Sequence, residues 1–163
     1  MAGDIGPSGL LLEPLGTCSF EEAYDLFAEQ VDAVVAAGCD LVLIETMADL
    51  REAKAALLAA KERCDLPVIA TMTFGEDGRT FLGTEPKTAA VTLTALGASA
   101  IGINCSLGPR ELAPLVREML QYTDLPVVVQ PNAGLPQMRE GQTVYTVGSE
   151  EFAACAEAFL RDG

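Results

Sequence analysis

The chain has 163 residues, half of them apolar and 6% aromatic, and its 24 acidic and 10 basic side chains give a formal net charge of −14. That length suffices for one domain with a real core, and an acidic field spread along the chain disfavours nucleic acid and anionic membranes as partners. No apolar run approaches the ~20 residues of a membrane span and the start does not read as a signal peptide, while the absence of histidine excludes Ser–His–Asp, Cys–His and HExxH chemistry built from this chain alone.

In chain order, "AGDIG" (2–6) reads as the tail of a strand. Residues 19–37, "SFEEAYDLFAEQVDAVVAA", place Ala23, Leu26, Phe27, Val31, Val34 and Val35 on one helical face. Ser19 and Glu22 have the spacing of a capping box, and Gly38 is a natural stop. "CDLVLIET" (39–46) is a continuous apolar run of the kind a strand buried on both faces requires. Asp49 and Glu52 open a helix that runs to about Arg63, and "DLPVIATMTF" (65–74) is a second buried strand. "EDGRTFLG" (76–83) is a loop with room for a short hairpin, and a helix follows over Pro86–Leu96. "ASAIGIN" (98–104) is a third strand, and Pro109 suits the first turn of a helix reaching about Tyr122. "DLPVVVQ" (124–130) is a fourth strand, and residues 149–161 form a last helix. Strand and helix thus alternate about five times without hairpin-spaced strand pairs, the mark of an α/β fold of parallel βα units.

A displacement of 59 positions superposes several landmarks. Gly38 falls on Gly97, Arg51-Glu52 on Arg110-Glu111, Asp65-Leu66-Pro67-Val68 on Asp124-Leu125-Pro126-Val127, and Gly75 on Gly134. Duplication and the shared turn chemistry of equal units both account for this, and both favour a regular α/β architecture. Under the same displacement Glu45-Thr46 falls on Asn104-Cys105 and Thr73 on Asn132. All these polar groups lie at the carboxyl ends of strands, where parallel sheets and barrels bind ligands.

Five cysteines (18, 39, 64, 105 and 155) without a CxxC pair point to free thiols in a reducing cytoplasm. Cys105, in "INCSLGP", sits between a strand end and a helix start, where helix-end potential favours a thiolate. It is a candidate metal ligand, a nucleophile without a base, or a small apolar residue. The other four read as structural. Glu45 closes the apolar run "LVLIE", and its carboxylate needs solvent, a substrate ammonium group or a lysine or arginine partner. Asn132, in "PNAGLP", either serves the turn or aims an amide into the rim. "DIGPSG" (4–9) brings two glycines to a loop, and no P-loop or GxGxxG motif occurs.

Together "GDIGPSG", "DLVLIETMADLREAKAA", "GRTFLG", "IGINCSLGP" and "QPNAGLP", in this order, resemble the homocysteine S-methyltransferase family over essentially the whole chain. The likeness is strongest to the homocysteine-binding modules of its cobalamin-dependent members. The resemblance implies a (β/α)8 TIM barrel, of which residues 1–163 would be a single partial domain with about strands 3–7 of 8, lacking the first two and the last. It implies transfer of a methyl group to the homocysteine thiolate, giving methionine. Cys105 would be a zinc ligand, Glu45 would contact the homocysteine amino group, and Asn132 would approach the metal when substrate is absent. The family's two further zinc ligands, adjacent cysteines in a Gly-Gly-Cys-Cys segment, have no counterpart here, so they would lie outside this chain. The resemblance leaves the methyl carrier open between methylcobalamin, a sulfonium and a betaine, and cobalamin or methyltetrahydrofolate, where used, would belong to other domains. Taken alone, the chain is expected to be inactive, and to self-associate or contact the missing parts of the barrel. The alternatives are an α/β module that binds a small amino acid and a structural fragment without activity.

Overall fold

The computed structural model describes residues 1–139 and 141–162. Each apolar run becomes a strand: β1 (Ala2–Ile5), β2 (Leu41–Met47), β3 (Val68–Met72), β4 (Ala100–Asn104) and β5 (Val127–Gln130). Every neighbouring pair is parallel, in the order β1-β2-β3-β4-β5. The helices α1 (Phe20–Ala36), α2 (Leu50–Arg63), α3 (Pro86–Ala95) and α4 (Pro109–Leu120) connect them, and α5 (Ser149–Asp162) follows β5. Parallel strands joined by right-handed crossovers, with a strand order that never reverses, carry their helices on one face. That is the winding of a β/α barrel and not of a doubly wound sheet. Among the described residues the barrel stays open, and β1 and β5 each keep one unpaired edge.

The core lies between the sheet and its helices. Ile5, Val42, Ile44, Val68, Ala70, Ile101 and Ile103 face it from the strands, with Phe27 and Val31 of α1, Leu57 of α2 and Leu112 of α4 opposite. Small residues let the helices approach: Ala53, Ala56 and Ala60 of α2 are fully or almost fully buried. In β1 and β2 burial alternates, so the other, concave face is only half covered. This corrects the expectation that β2 is buried on both faces. Because the sheet does not close, Leu43 and Glu45 remain partly open to solvent.

Local signals are used largely as the sequence suggests. Ser19 and Glu22 form a reciprocal capping box at α1. Asp49 caps α2 through the Arg51 amide at 2.8 Å, but Glu52 reaches away from that end to Ser8. The hairpin lies elsewhere than expected. Residues 75–84 form a loop closed by backbone bonds such as Thr80 N–H to Thr84 O at 3.0 Å. An antiparallel pair, β6 (Gln137–Arg139) and β7 (Gln142–Val144), stands instead between β5 and α5. Its strands are three residues long and mostly polar, so no alternation announced them; the turn signal was Gly141, with φ +79°.

One glycine is a steric requirement of the sheet. A Cβ on Gly102 would lie 2.1 Å from the Val128 carbonyl oxygen of the neighbouring strand. Gly102→Ala is therefore expected to lower unfolding stability by roughly 1–3 kcal/mol through overpacking, read as a shifted urea midpoint with unchanged slope.

Candidate functional site

The carboxyl ends of β2, β3 and β4 meet at one buried side chain, Asn104, which is 2% exposed. Its Oδ1 accepts from the Thr46 backbone N–H at 3.0 Å and from the Thr71 hydroxyl at 2.9 Å. Its Nδ2 donates to Thr46 Oγ1 at 2.6 Å and to Cys105 Sγ at 3.4 Å. The Asn104 carbonyl accepts from Thr73 Oγ1 at 3.0 Å. A backbone N–H can only donate, so the Thr46 amide fixes which end of the carboxamide is oxygen. The NH2 must then face the sulfur.

Two reversals of backbone handedness, one within β2 and one after β4, flank this side chain. Thr46 has φ +62°, Cys105 +61° and Ser106 +56°. Left-handed backbone is uncommon for any non-glycine residue, most of all a β-branched one, and costs about 1–3 kcal/mol each. Thr46 and Cys105 are the pair related by the 59-residue displacement, so the sequence echo is also a conformational one. In β2 the reversal breaks the register with β3 between Ile44 and Met47. Glu45 and Thr46 are consequently both half-buried, and Met47 returns to the core. A bulge of this kind re-aims side chains at a strand end.

The three expected site residues come to this rim by different routes. Glu45 precedes the Thr46 reversal; it is half-buried, and among the described residues no lysine or arginine pairs with it. Cys105 is half-buried, its amide bonded to the Gln130 carbonyl at 3.0 Å and its Sγ 3.8 Å from Thr46 Oγ1. Asn132 is held through its amide to the Leu107 carbonyl at 3.0 Å, on the same turn as Cys105. Gly108 and Gly134 pack backbone against backbone beneath it: a Cβ on Gly108 would lie 3.2 Å from Gly134 Cα. No hydrogen bond joins the side chains of Glu45, Cys105 and Asn132 to one another among the described residues. They share a rim through backbone ties.

The sequence reading placed Thr46 and Asn104 at the rim without giving them a role, and it missed Thr71. One signal was present: an amide side chain ending a strand as apolar as "AIGIN" must find partners inside. Ser8 of "DIGPSG" also has a role, donating its amide (2.8 Å) and hydroxyl (2.5 Å) to Glu52 Oε1, which ties the loop after β1 to α2. The remaining cysteines are apart from the rim network. Burial, with Glu22 and Glu52 nearby, pushes the Cys18 thiol up, away from thiolate.

A zinc ion needs three or four protein ligands. Cys105 offers one soft donor in polar surroundings, yet among the described residues no three His, Cys, Asp or Glu side chains gather to hold a metal. The described residues by themselves do not gather the ligands of a zinc site.

A barrel-type α/β fold that carries a cysteine, a carboxylate and amide groups at the carboxyl ends of its strands places them where such folds bind ligands. The model of one family, "Homocysteine S-methyltransferase", matches residues 1–163, and the chain belongs to that family. Methionine synthases of Mycobacterium leprae (strain TN) and Mycobacterium tuberculosis (strain ATCC 25618 / H37Rv) are each 32% identical to it over 165 residues, 98% of this chain. The chain spans 14% of the length of each. Among solved structures, the homocysteine methyltransferase MmuM from Escherichia coli is 26% identical. It superposes with TM-scores of 0.71 in its apo form and 0.66 in its metallated form, over 82% of this chain and 49% or 48% of MmuM.

Thr71 is fully buried and its hydroxyl is one of two donors to Asn104 Oδ1. Thr71→Val keeps the shape and removes that donor, and is expected to cost about 1 kcal/mol, measured by urea unfolding.

Proposed function

We propose that this chain is part of an enzyme that transfers a methyl group to the sulfur of homocysteine, giving methionine. The observation that carries the reading within this family is Glu45: a half-buried carboxylate at a strand end with no cationic partner among the described residues. An α-ammonium group would satisfy it, and the thiol of the same amino acid would then extend along the rim toward Cys105 and Asn132. In the reaction the homocysteine thiol loses its proton, a sulfur lone pair forms the new S–CH3 bond, and the bond from methyl to its carrier breaks. The chain's own contribution is to bind and orient the amino acid.

Cys105 is proposed as one zinc ligand, its two partner cysteines lying outside this chain; the existence of a metallated form of MmuM supports a metal in the family. Asn132 is proposed to reach the same position when substrate is absent. The methyl carrier, cobalamin or methyltetrahydrofolate in this reading, belongs to other domains, in line with methionine synthases among the relatives. Five free cysteines suit a cytoplasmic setting, and no helix among the described residues is long and apolar enough to cross a membrane. A second reading is a module that binds a small amino acid without catalysis.

Glu45→Gln is nearly isosteric and removes the charge. In the complete enzyme it is expected to raise the homocysteine KM about ten-fold, with a smaller change in kcat, as loss of a charge-assisted contact predicts; an unchanged KM would overturn the assignment. For the 163-residue chain, metal analysis is expected to find well under one zinc per chain, and tight equimolar zinc would place the missing ligands within it. Calorimetry with homocysteine, with and without zinc, separates the two readings: binding strengthened by zinc in the complete enzyme supports methyl transfer, and metal-indifferent binding supports the module. The open edges of β1 and β5 predict self-association of the isolated chain, and a monomer by light scattering at high concentration would count against it.

A further inference from the structure

We propose that Asn104 is the positioning residue of this site: its buried carboxamide clamps the Thr46 and Cys105 reversals together and so sets the placement of Glu45 against Cys105. The inference rests on the reading of Glu45 and Cys105 as site residues and adds the element that spaces them. Glu45 and Cys105 sit on β2 and at the end of β4, strands separated by β3, and no backbone ladder joins them directly. A long Thr46 Oγ1–Cys105 Sγ contact of 3.8 Å spans the two ends directly, and the shorter hydrogen bonds from both ends converge on Asn104.

Four contacts make the clamp. Oδ1 holds the Thr46 amide and the Thr71 hydroxyl, and Nδ2 holds Thr46 Oγ1 and Cys105 Sγ. Two acceptor directions and two donor hydrogens are all that a carboxamide has, so every one is used. The Asn104 carbonyl takes a fifth bond, from Thr73 Oγ1. Both reversals that the side chain touches are left-handed at non-glycine residues, Thr46 and Cys105, and such backbone persists only where its surroundings over-determine it. Asn104 supplies that constraint to both at once. The Thr46 amide in particular has a side-chain oxygen where a strand residue would have a ladder carbonyl. Since Glu45 is bonded directly to Thr46, releasing this amide frees the peptide that carries the carboxylate.

The test compares Asn104→Ala with Asn104→Asp in the purified protein by amide hydrogen exchange followed by NMR. Asn104→Ala removes every arm of the clamp. The Thr46 amide is expected to exchange at least ten-fold faster, while the amides of Ile44 and Ile101, inside the strands, stay within two-fold of their original rates. Asn104→Asp keeps the acceptor for the Thr46 amide and is expected to restore its protection to within about three-fold, and it serves alone if the alanine variant fails to fold. An unchanged Thr46 rate in Asn104→Ala overturns the proposal. So does equal acceleration at Ile44 and Ile101, which would make Asn104 a general stabiliser, and so does an aspartate variant in which Thr46 protection is lost. The functional reading is judged separately, by adding homocysteine to the unaltered complete enzyme: no response there counts against methyl transfer, while the exchange comparison still decides the clamp.

Discussion

A buried carboxamide with all of its hydrogen-bonding directions satisfied is the constraint on which the rim of this molecule depends. Asn104 is nearly sealed from water, and leaving any of its donors or acceptors unmet there would cost more than a typical net hydrogen bond returns. The chain meets them by turning Thr46 and Cys105 into left-handed backbone and by aiming the Thr71 hydroxyl inward. The local strain and the network therefore explain each other. Neither would persist alone.

The same arrangement explains why strands that read as uninterrupted apolar runs end in polar groups. Below the rim, the pleat sends Val42, Ile44, Val68, Ala70, Ile101 and Ile103 against the helices. At the rim the bulge in β2 breaks that parity, so Glu45 and Thr46 both stay half-buried beyond the core. On the β5 side, Gly108 and Gly134 allow two loops to touch backbone to backbone, and the Asn132 amide closes the contact on Leu107. The hairpin of β6 and β7 leads back to this loop, where the Val147 amide bonds the Ala133 carbonyl at 3.0 Å. A rigid scaffold thus presents its chemistry on short loops at one end of the strands.

The concave face, by contrast, is unfinished. Helices cover one side of the sheet, and the opposite side keeps Leu43, Ile69 and Val128 partly open. In a closed barrel such positions interlock in layers fed by alternate strands. The kinship with E. coli MmuM, of which this chain covers about half, and with methionine synthases several times longer, gives that face its context.

Much was determined by the sequence alone. Continuous apolar runs, the helical face of residues 19–37, the Ser19–Glu22 box, the cap at Asp49 and the prolines at 86 and 109 place the elements to within a few residues. They do so because strand and helix formation depend on neighbours a few positions away. Motif order also sufficed for the family, and the 59-residue echo foreshadowed the matched reversals at Thr46 and Cys105. What only the tertiary structure decided was which polar groups meet. Asn104 looks like an ordinary strand-end amide until β2, β3 and β4 lie side by side, Glu52 looks like half of a cap until Ser8 reaches it, and the β6–β7 hairpin has too few apolar residues to declare itself. Those pairings span 31 to 58 residues in the cases of Thr73, Thr71 and Thr46 with Asn104, and contacts at such separations are fixed by packing and strand register, which no local pattern encodes.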